Sequence, residues 1–404
     1  MRKVAVCDMH THLFPLEFHG LALWGIDELL TYHYLEAEFF RLSSLTPAQY
    51  FALGKRDRAD QIWQTLFVER LPLSDACCGV VSVLHALGLP ADAPNLRTAR
   101  EFFCDQDERT HLDHVFELAG VRELVMTNDP LDPAELPFWG IAPVRDVRFH
   151  AALRLDRLLN DWGAQVTELT RQGFPVTPRL DGSTIREVRR FLANWTERFR
   201  PVYMAASVPD SFLFPEDSAR GELLAQAVLP SCREYGIPLA LMIGVRRGVN
   251  PAIGIAADGM GRADLSSVAS LCREFPENRF LVTALSLENQ HELNVCARKF
   301  GNLMPFGCWW FLNNSSIVGA MTRQRLEMLG TSFIPQHSDA RVLEQLIYKW
   351  RDARRLIGCA LTDSYQRLQS AGRTVAAGQV EDDVCRLMRG NFQALVKKTE
   401  VFAY

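Results

Sequence analysis

Eight short apolar runs, rich in β-branched and aromatic residues and each closed by a polar or turn residue, recur along the 404-residue chain. They cover residues 4–7, 123–127, 147–153, 202–206, 238–243, 280–284, 303–311 and 357–361. Uninterrupted apolar runs suit strands buried on both faces, as in parallel sheets. Amphipathic helical patterns lie between most of them, at 166–173, 184–199, 218–235, 265–275 and 338–355. Eight strands alternating with helices predict an α/β fold, a (β/α)8 TIM-like barrel, with residues 1–404 as one barrel domain. The alternation breaks at residues 26–118, which contain no convincing strand. Thr46-Pro47 and Ser74-Asp75 read as helix starts there. This stretch is expected to be a helical insertion after the first strand, packed on the barrel mouth.

Composition excludes several function classes. With 48% hydrophobic and 23% charged residues, the chain is neither disordered nor a coiled coil. A net charge of −4 offers no basic surplus for nucleic acid, so an anionic substrate must be met by a few local arginines. Ten cysteines without a C-x-x-C pair suggest reduced thiols and a cytoplasmic protein. No apolar run approaches a membrane span, and no membrane association is expected.

The sharpest local feature is Asp8-Met9-His10-Thr11-His12 at the end of the first strand. Side chains alternate along a strand, so His10 and His12 point the same way and make half of a metal site. Closure of the barrel sets the last strand beside the first. Asp363, at the end of the apolar run 357–361, is therefore the expected third ligand. Three protein ligands and an open position describe a catalytic site. His33 and Tyr34 follow an apolar helical stripe, which alone marks ordinary core-edge residues. Arg154 ends the third strand, Arg246 and Arg247 the fifth, and Trp309-Trp310 the seventh; an arginine fork fits a carboxylate. His111 and His114 read as a solvated helix face, and Ser338-Asp339-Ala340-Arg341 as a helix N-terminus.

Together these residues resemble the uronate isomerases, or glucuronate isomerases, of the amidohydrolase superfamily. Residues 8–13 look like the family's D-x-H-x-H-L motif, and His33-Tyr34 follow at its spacing. Residues 127–130 resemble its T-D-D-P turn, 153–156 its R-x-D segment, and 244–250 its G-x-x-R-x-x-N segment, which favours Arg247 over Arg246. Trp309-Trp310-Phe311 resembles its W-W-F, and residues 361–364 its L-T-D-S. The family carries an Arg two residues after that Asp; here the position is Tyr365.

The resemblance implies a metal-dependent aldose–ketose isomerase, an intramolecular oxidoreductase converting D-glucuronate to D-fructuronate or D-galacturonate to D-tagaturonate. It implies one divalent metal, zinc by preference, on His10, His12 and Asp363. Asp363 would also move the proton that opens the sugar ring, Tyr34 the C2 proton, and His33 would bind a substrate hydroxyl. Arg154 and Arg247 would bind the carboxylate or enediolate, Trp310 would wall the pocket, and Tyr365 would narrow or change the substrate range. A homo-oligomer is a further expectation. Two other readings stand beside it: a mononuclear metal hydrolase on the same barrel, and a sugar-acid-binding homologue without turnover.

Overall fold

The computed structural model describes residues 1, 4–141 and 146–396. Seven strands run parallel in chain order: β1 (Val6–Thr11), β2 (Val121–Asn128), β3 (Phe149–Arg154), β4 (Met204–Pro209), β5 (Leu239–Arg246), β6 (Phe280–Ala284) and β7 (Leu303–Pro305). Helices lie between most successive pairs, including Gly182–Phe199 and Ser266–Glu274, where the amphipathic patterns place them. A two-residue strand, Gly259–Met260, folds back against the end of β5.

The strands divide the core by alternation. Tyr203 and Ala205, Ala240 and Met242, and Leu281 point into the barrel with Cys7 and Met9. Their neighbours Met204, Ala206, Leu239, Leu241, Phe280 and Val282 face the surrounding helices. On β1 the ladder to β2 slips between Asp8, opposite Leu124, and Thr11, opposite Met126, so β1 carries one extra residue there. Such a bulge changes the phase of a strand. Met9 stays in the interior, and His10 and His12 take the inward direction above it.

The eighth position is held by residues 334–340, not by 357–361. Phe306 bridges Ile334 in parallel, and Ile334 N donates to Pro305 O at 3.1 Å. On the other side Asp339 N donates to His10 O at 3.1 Å, and His12 N to Ala340 O at 2.8 Å. Residues 357–361 lie inside the long helix Gln345–Ser370. Its buried positions Leu346, Ile347, Trp350, Ala353, Ile357, Ala360 and Leu361 recur at helical spacing. A short apolar run does not distinguish a buried strand from one turn of such a stripe.

Between β1 and β2 the chain is helical from Ile26 to Ala119, with no strand among these residues. Thr46 forms a capping box with Gln49 around Pro47, and the Ser74 hydroxyl accepts from Cys77 N. Gly120 ends the last of these helices at φ 64°, where a side chain would be strained. His111 does not lie on a solvated face; it is buried, with Nε2 2.8 Å from Glu344 Oε1. The same carboxylate accepts from Gly25 N through both oxygens, at 3.1 and 3.2 Å, so it grips the chain where the helical stretch begins. Among the described residues no helix is long and apolar enough to cross a membrane.

Candidate active site

At the C-terminal ends of the strands, His10, His12 and Asp339 converge. His12 Nε2 lies 3.3 Å and His10 Nε2 3.8 Å from Asp339 Oδ1. Asp339 is 6% exposed, sits at φ 51°, and its Oδ1 accepts no hydrogen bond from the protein. Burial pushes His10 down to about 3 and His12 to about 4, so both imidazoles are neutral at physiological pH. Burial opposes ionisation of Asp339, but the adjacent His12 and the nearby Lys349 ammonium outweigh it and hold the carboxyl well below its usual range.

Two neutral imidazoles and a carboxylate are the protonation states a divalent cation requires. Their ligand atoms lie within 4.8 Å of one another. Tetrahedral bonds of 2.0–2.1 Å imply ligand separations of roughly 3.3–3.4 Å, so the set fits such an ion. The orphaned, buried Oδ1 is the clearest sign of it.

These groups line one cavity at the C-terminal ends of the strands. His33, first residue of the helix His33–Leu42, reaches it from the helical stretch with both ring nitrogens unpartnered, its ring centroid 5.8 Å from that of Trp310. Burial lowers His33 to about 3. Trp309 and Trp310 form one wall; Trp310 holds φ 48° and its buried Nε1 is also unpartnered. Three arginines line the cavity. Arg154 leaves the end of β3 and donates to Asp156 Oδ2 at 2.6 Å. Arg247 follows β5 and is held by Asp258. Arg341 reaches in beyond Asp339. Tyr34 lies behind His33, ring centroids 4.6 Å apart, with a buried and unpartnered hydroxyl. Burial pushes its phenol well above the usual value.

No family model matches the sequence, and no curated protein does. Among solved structures, a uronate isomerase from Bacillus halodurans shares 49% identity at a TM-score of 0.96, over 98% of this chain and 94% of that one. The chain belongs to the uronate isomerase family. A uronate isomerase from Thermotoga maritima and a glucuronate isomerase from Caulobacter crescentus share the fold at 15% and 13% identity, with TM-scores of 0.77 and 0.75. They cover 98% and 99% of this chain and are matched over 95% and 93% of their own. A TM-score of 0.55 and 12% identity relate the fold also to a protein described as a metal-dependent hydrolase from Lactobacillus casei.

Within this uronate isomerase chain two expected residues lie elsewhere. Asp363 is on the outer face of Gln345–Ser370, its side chain 61% exposed and 3.7 Å from Arg323. Tyr365 is on the same helix and donates to Asp383 Oδ2 at 3.0 Å, in a surface cleft apart from the barrel mouth. Asp339 and Arg341, two residues apart in the sequence, line the cavity instead. Ser338-Asp339-Ala340-Arg341 does not start a helix; the helix begins only at Gln345. His337, Asp339 and Arg341 alternate in the sequence, but no apolar run accompanies them. Thr127, marked in the sequence only as the start of a T-D-D-P-like turn, packs around the ligand set with Tyr203 and Lys349, which carried no sequence signal. The structure does bring together His10, His12, His33, Arg154, Arg247 and Trp310. Met242 of β5 also lines the cavity.

Proposed function

We propose that this chain isomerises hexuronates between aldose and ketose, D-glucuronate to D-fructuronate or D-galacturonate to D-tagaturonate, with one divalent metal. The observation that carries the reading is the His10–His12–Asp339 cluster at the base of a cavity edged by three arginines. The two Nε2 atoms and the Asp339 carboxylate would hold the metal, with zinc favoured by the nitrogen and oxygen donors. Such an ion supplies Lewis acidity toward substrate oxygens.

The chain's own groups do the rest. The Arg341 guanidinium makes no hydrogen bond or ion pair among the described residues, its backbone N donating to Gln345 Oε1, so its fork is free for the uronate carboxylate or an enediolate oxygen. Arg154 and Arg247, fixed by Asp156 and Asp258, set the charge of the opposite rim. Neutral His33 offers one donor and one acceptor to a substrate hydroxyl. The open-chain aldehyde makes the C2 proton acidic; its removal gives an enediolate, and return of a proton to C1 gives the ketose. C1 is reduced as C2 is oxidised, so no outside redox partner is needed. We assign the C2 proton to Tyr34, whose unpartnered hydroxyl sits beside His33 and whose ring centroid lies 5.9 Å from Lys349 Nζ. The Arg341 guanidinium favours phenolate, while burial outweighs it. Ten free cysteines support a cytoplasmic setting, and the family resemblance alone supports a homo-oligomer, which light scattering would test.

The test is metal-loaded protein incubated with each uronate and followed for ketose. We expect turnover of at least one epimer with kcat/KM in the ordinary enzyme range, roughly 10⁴–10⁸ M⁻¹s⁻¹. No ketose from either epimer would overturn the assignment.

A further inference from the structure

The two imidazoles of the ligand set differ from the other unpartnered groups around them: each has its second nitrogen against a hydroxyl. Tyr203 Oη lies 3.2 Å from His10 Nδ1, and Thr127 Oγ1 lies 3.4 Å from His12 Nδ1. Neither hydroxyl is free to donate to the ring. Tyr203 donates its single hydrogen to Met9 O at 2.6 Å, and Thr127 donates its own to Thr11 O at 2.5 Å. In both cases the carbonyl belongs to the residue just before the histidine. Only lone pairs then remain to face the rings.

We infer that Tyr203 and Thr127 are paired positioning residues that fix His10 and His12 in the Nδ1–H tautomer, leaving both Nε2 lone pairs aimed at one point beside Asp339. This rests on the metal reading given above and says what sets the direction of the site. Asp339 Oδ1 lies 3.3 Å from His12 Nε2, the ring nitrogen not against Thr127. Both hydroxyls come from strands on the far side of β1 from Asp339: Thr127 is on β2, and Tyr203 precedes β4. Three points of the barrel wall therefore define each ring: its own strand, its hydroxyl and the carboxylate. Tyr203 is fully buried and Thr127 is 5% exposed, so water does not replace either contact.

The experiment uses the full chain stripped of metal and titrated with Zn²⁺ or Mn²⁺ against a chelator. Tyr203→Phe and Thr127→Val should each weaken metal binding about 10- to 100-fold, the range typical for lost outer contacts to metal-bound histidine. Thr127→Ser, which keeps the hydroxyl, should restore affinity to within about threefold, which a packing effect would not do. Nitrogen-15 shifts of the metal-free wild type should show His10 and His12 protonated on Nδ1, and the variants a mixture of tautomers. If the wild type binds metal and both variants bind as tightly, or if either wild-type ring carries its proton on Nε2, the inference is overturned and the metal reading survives. If the wild type binds no metal, the metal reading itself fails, while the tautomer measurement still decides the inference.

Discussion

Two neighbouring strips of barrel wall meet at the candidate site and are built in different ways. β1 is a strand in the ladder, paired with β2 across register slips after Val6 and between Asp8 and Thr11, and buried at every position. Residues 334–340 make one isolated bridge to Phe306 and contain Pro335, and Asp339 adopts φ 51°. Side chains hold this strip where a ladder does not. Ser338 N donates to Asp8 Oδ1 at 3.0 Å, and Trp350 Nε1 to Asp8 Oδ2 at 2.7 Å. Lys349 Nζ donates to Ser338 O at 2.5 Å, and Gln336 Oε1 accepts from Cys308 N at 3.0 Å. A ladder fixes the backbone and lets side chains follow; side-chain clamps allow an irregular backbone to aim a carboxylate at a point no regular strand would reach.

The comparison breaks first at the carboxylates. Asp339→Asn should abolish stoichiometric metal binding and lower kcat/KM by about 10³-fold or more, since a bound ion is worth several kcal/mol to the transition state. Asp363→Asn should leave both within twofold. Metal analysis and kinetics on the two variants decide it, and an equal loss in Asp363→Asn would restore the regular strand expected from residues 357–361.

Acid sharpens it next. His10, His33 and His337 are pushed to about 3 and His12 to about 4, from an ordinary 6.5, chiefly by burial. Between those values the unfolded chain binds more protons than the folded one. Stability of metal-free protein is therefore full above about pH 6.5 and falls as pH drops toward 4. Each such histidine steepens the fall by up to about 1.4 kcal/mol per pH unit. Three of the four belong to the N-terminal side and one to the irregular strip. His337→Asn should remove about one such increment from the slope measured by urea melts, whereas a slope unchanged by that substitution would mean His337 is solvated in the folded protein.

The smallest effect concerns the cations. Arg341→Ala should lower kcat/KM roughly 10- to 150-fold, the value of about 1.5–3 kcal/mol for a charged hydrogen bond. Tyr365→Phe should change it less than twofold. Steady-state kinetics on both uronates would show the reverse ranking if the surface cleft at Tyr365 took part.

How much was legible follows the same division. His10 and His12 announced themselves because an apolar strand ends on an H-x-H pattern, and Arg154 because it closes an apolar run; after the fifth run Arg246 and Arg247 stood as equals until the G-x-x-R-x-x-N resemblance favoured Arg247. The helical stretch was legible from its caps and from the absence of strands. Asp339 was hidden because the middle of its strip is polar, with Gln336, His337 and Ser338 before it and Arg341 after it. Polar residues there satisfy the clamps and line the cavity, so no hydrophobic pattern marks a strand. The long helix beyond it drew attention instead, because one turn of its buried stripe happens to be continuous. Tyr203, Thr127 and Lys349 act through atoms far away in sequence, which no local pattern encodes.

Glu344 has a consequence for how such chains diversify. One buried carboxylate holds both Gly25, where the chain leaves the barrel, and His111, on the last helix before it returns. The two ends are thus anchored independently of what is threaded between them. Closing a longer excursion costs little, about 0.6 kcal/mol for each doubling of length. The helices between can be lengthened, shortened or exchanged as a cassette while the barrel keeps its shape. The face of the cavity that carries His33 can thereby change over lineages without disturbing His10, His12 or Asp339.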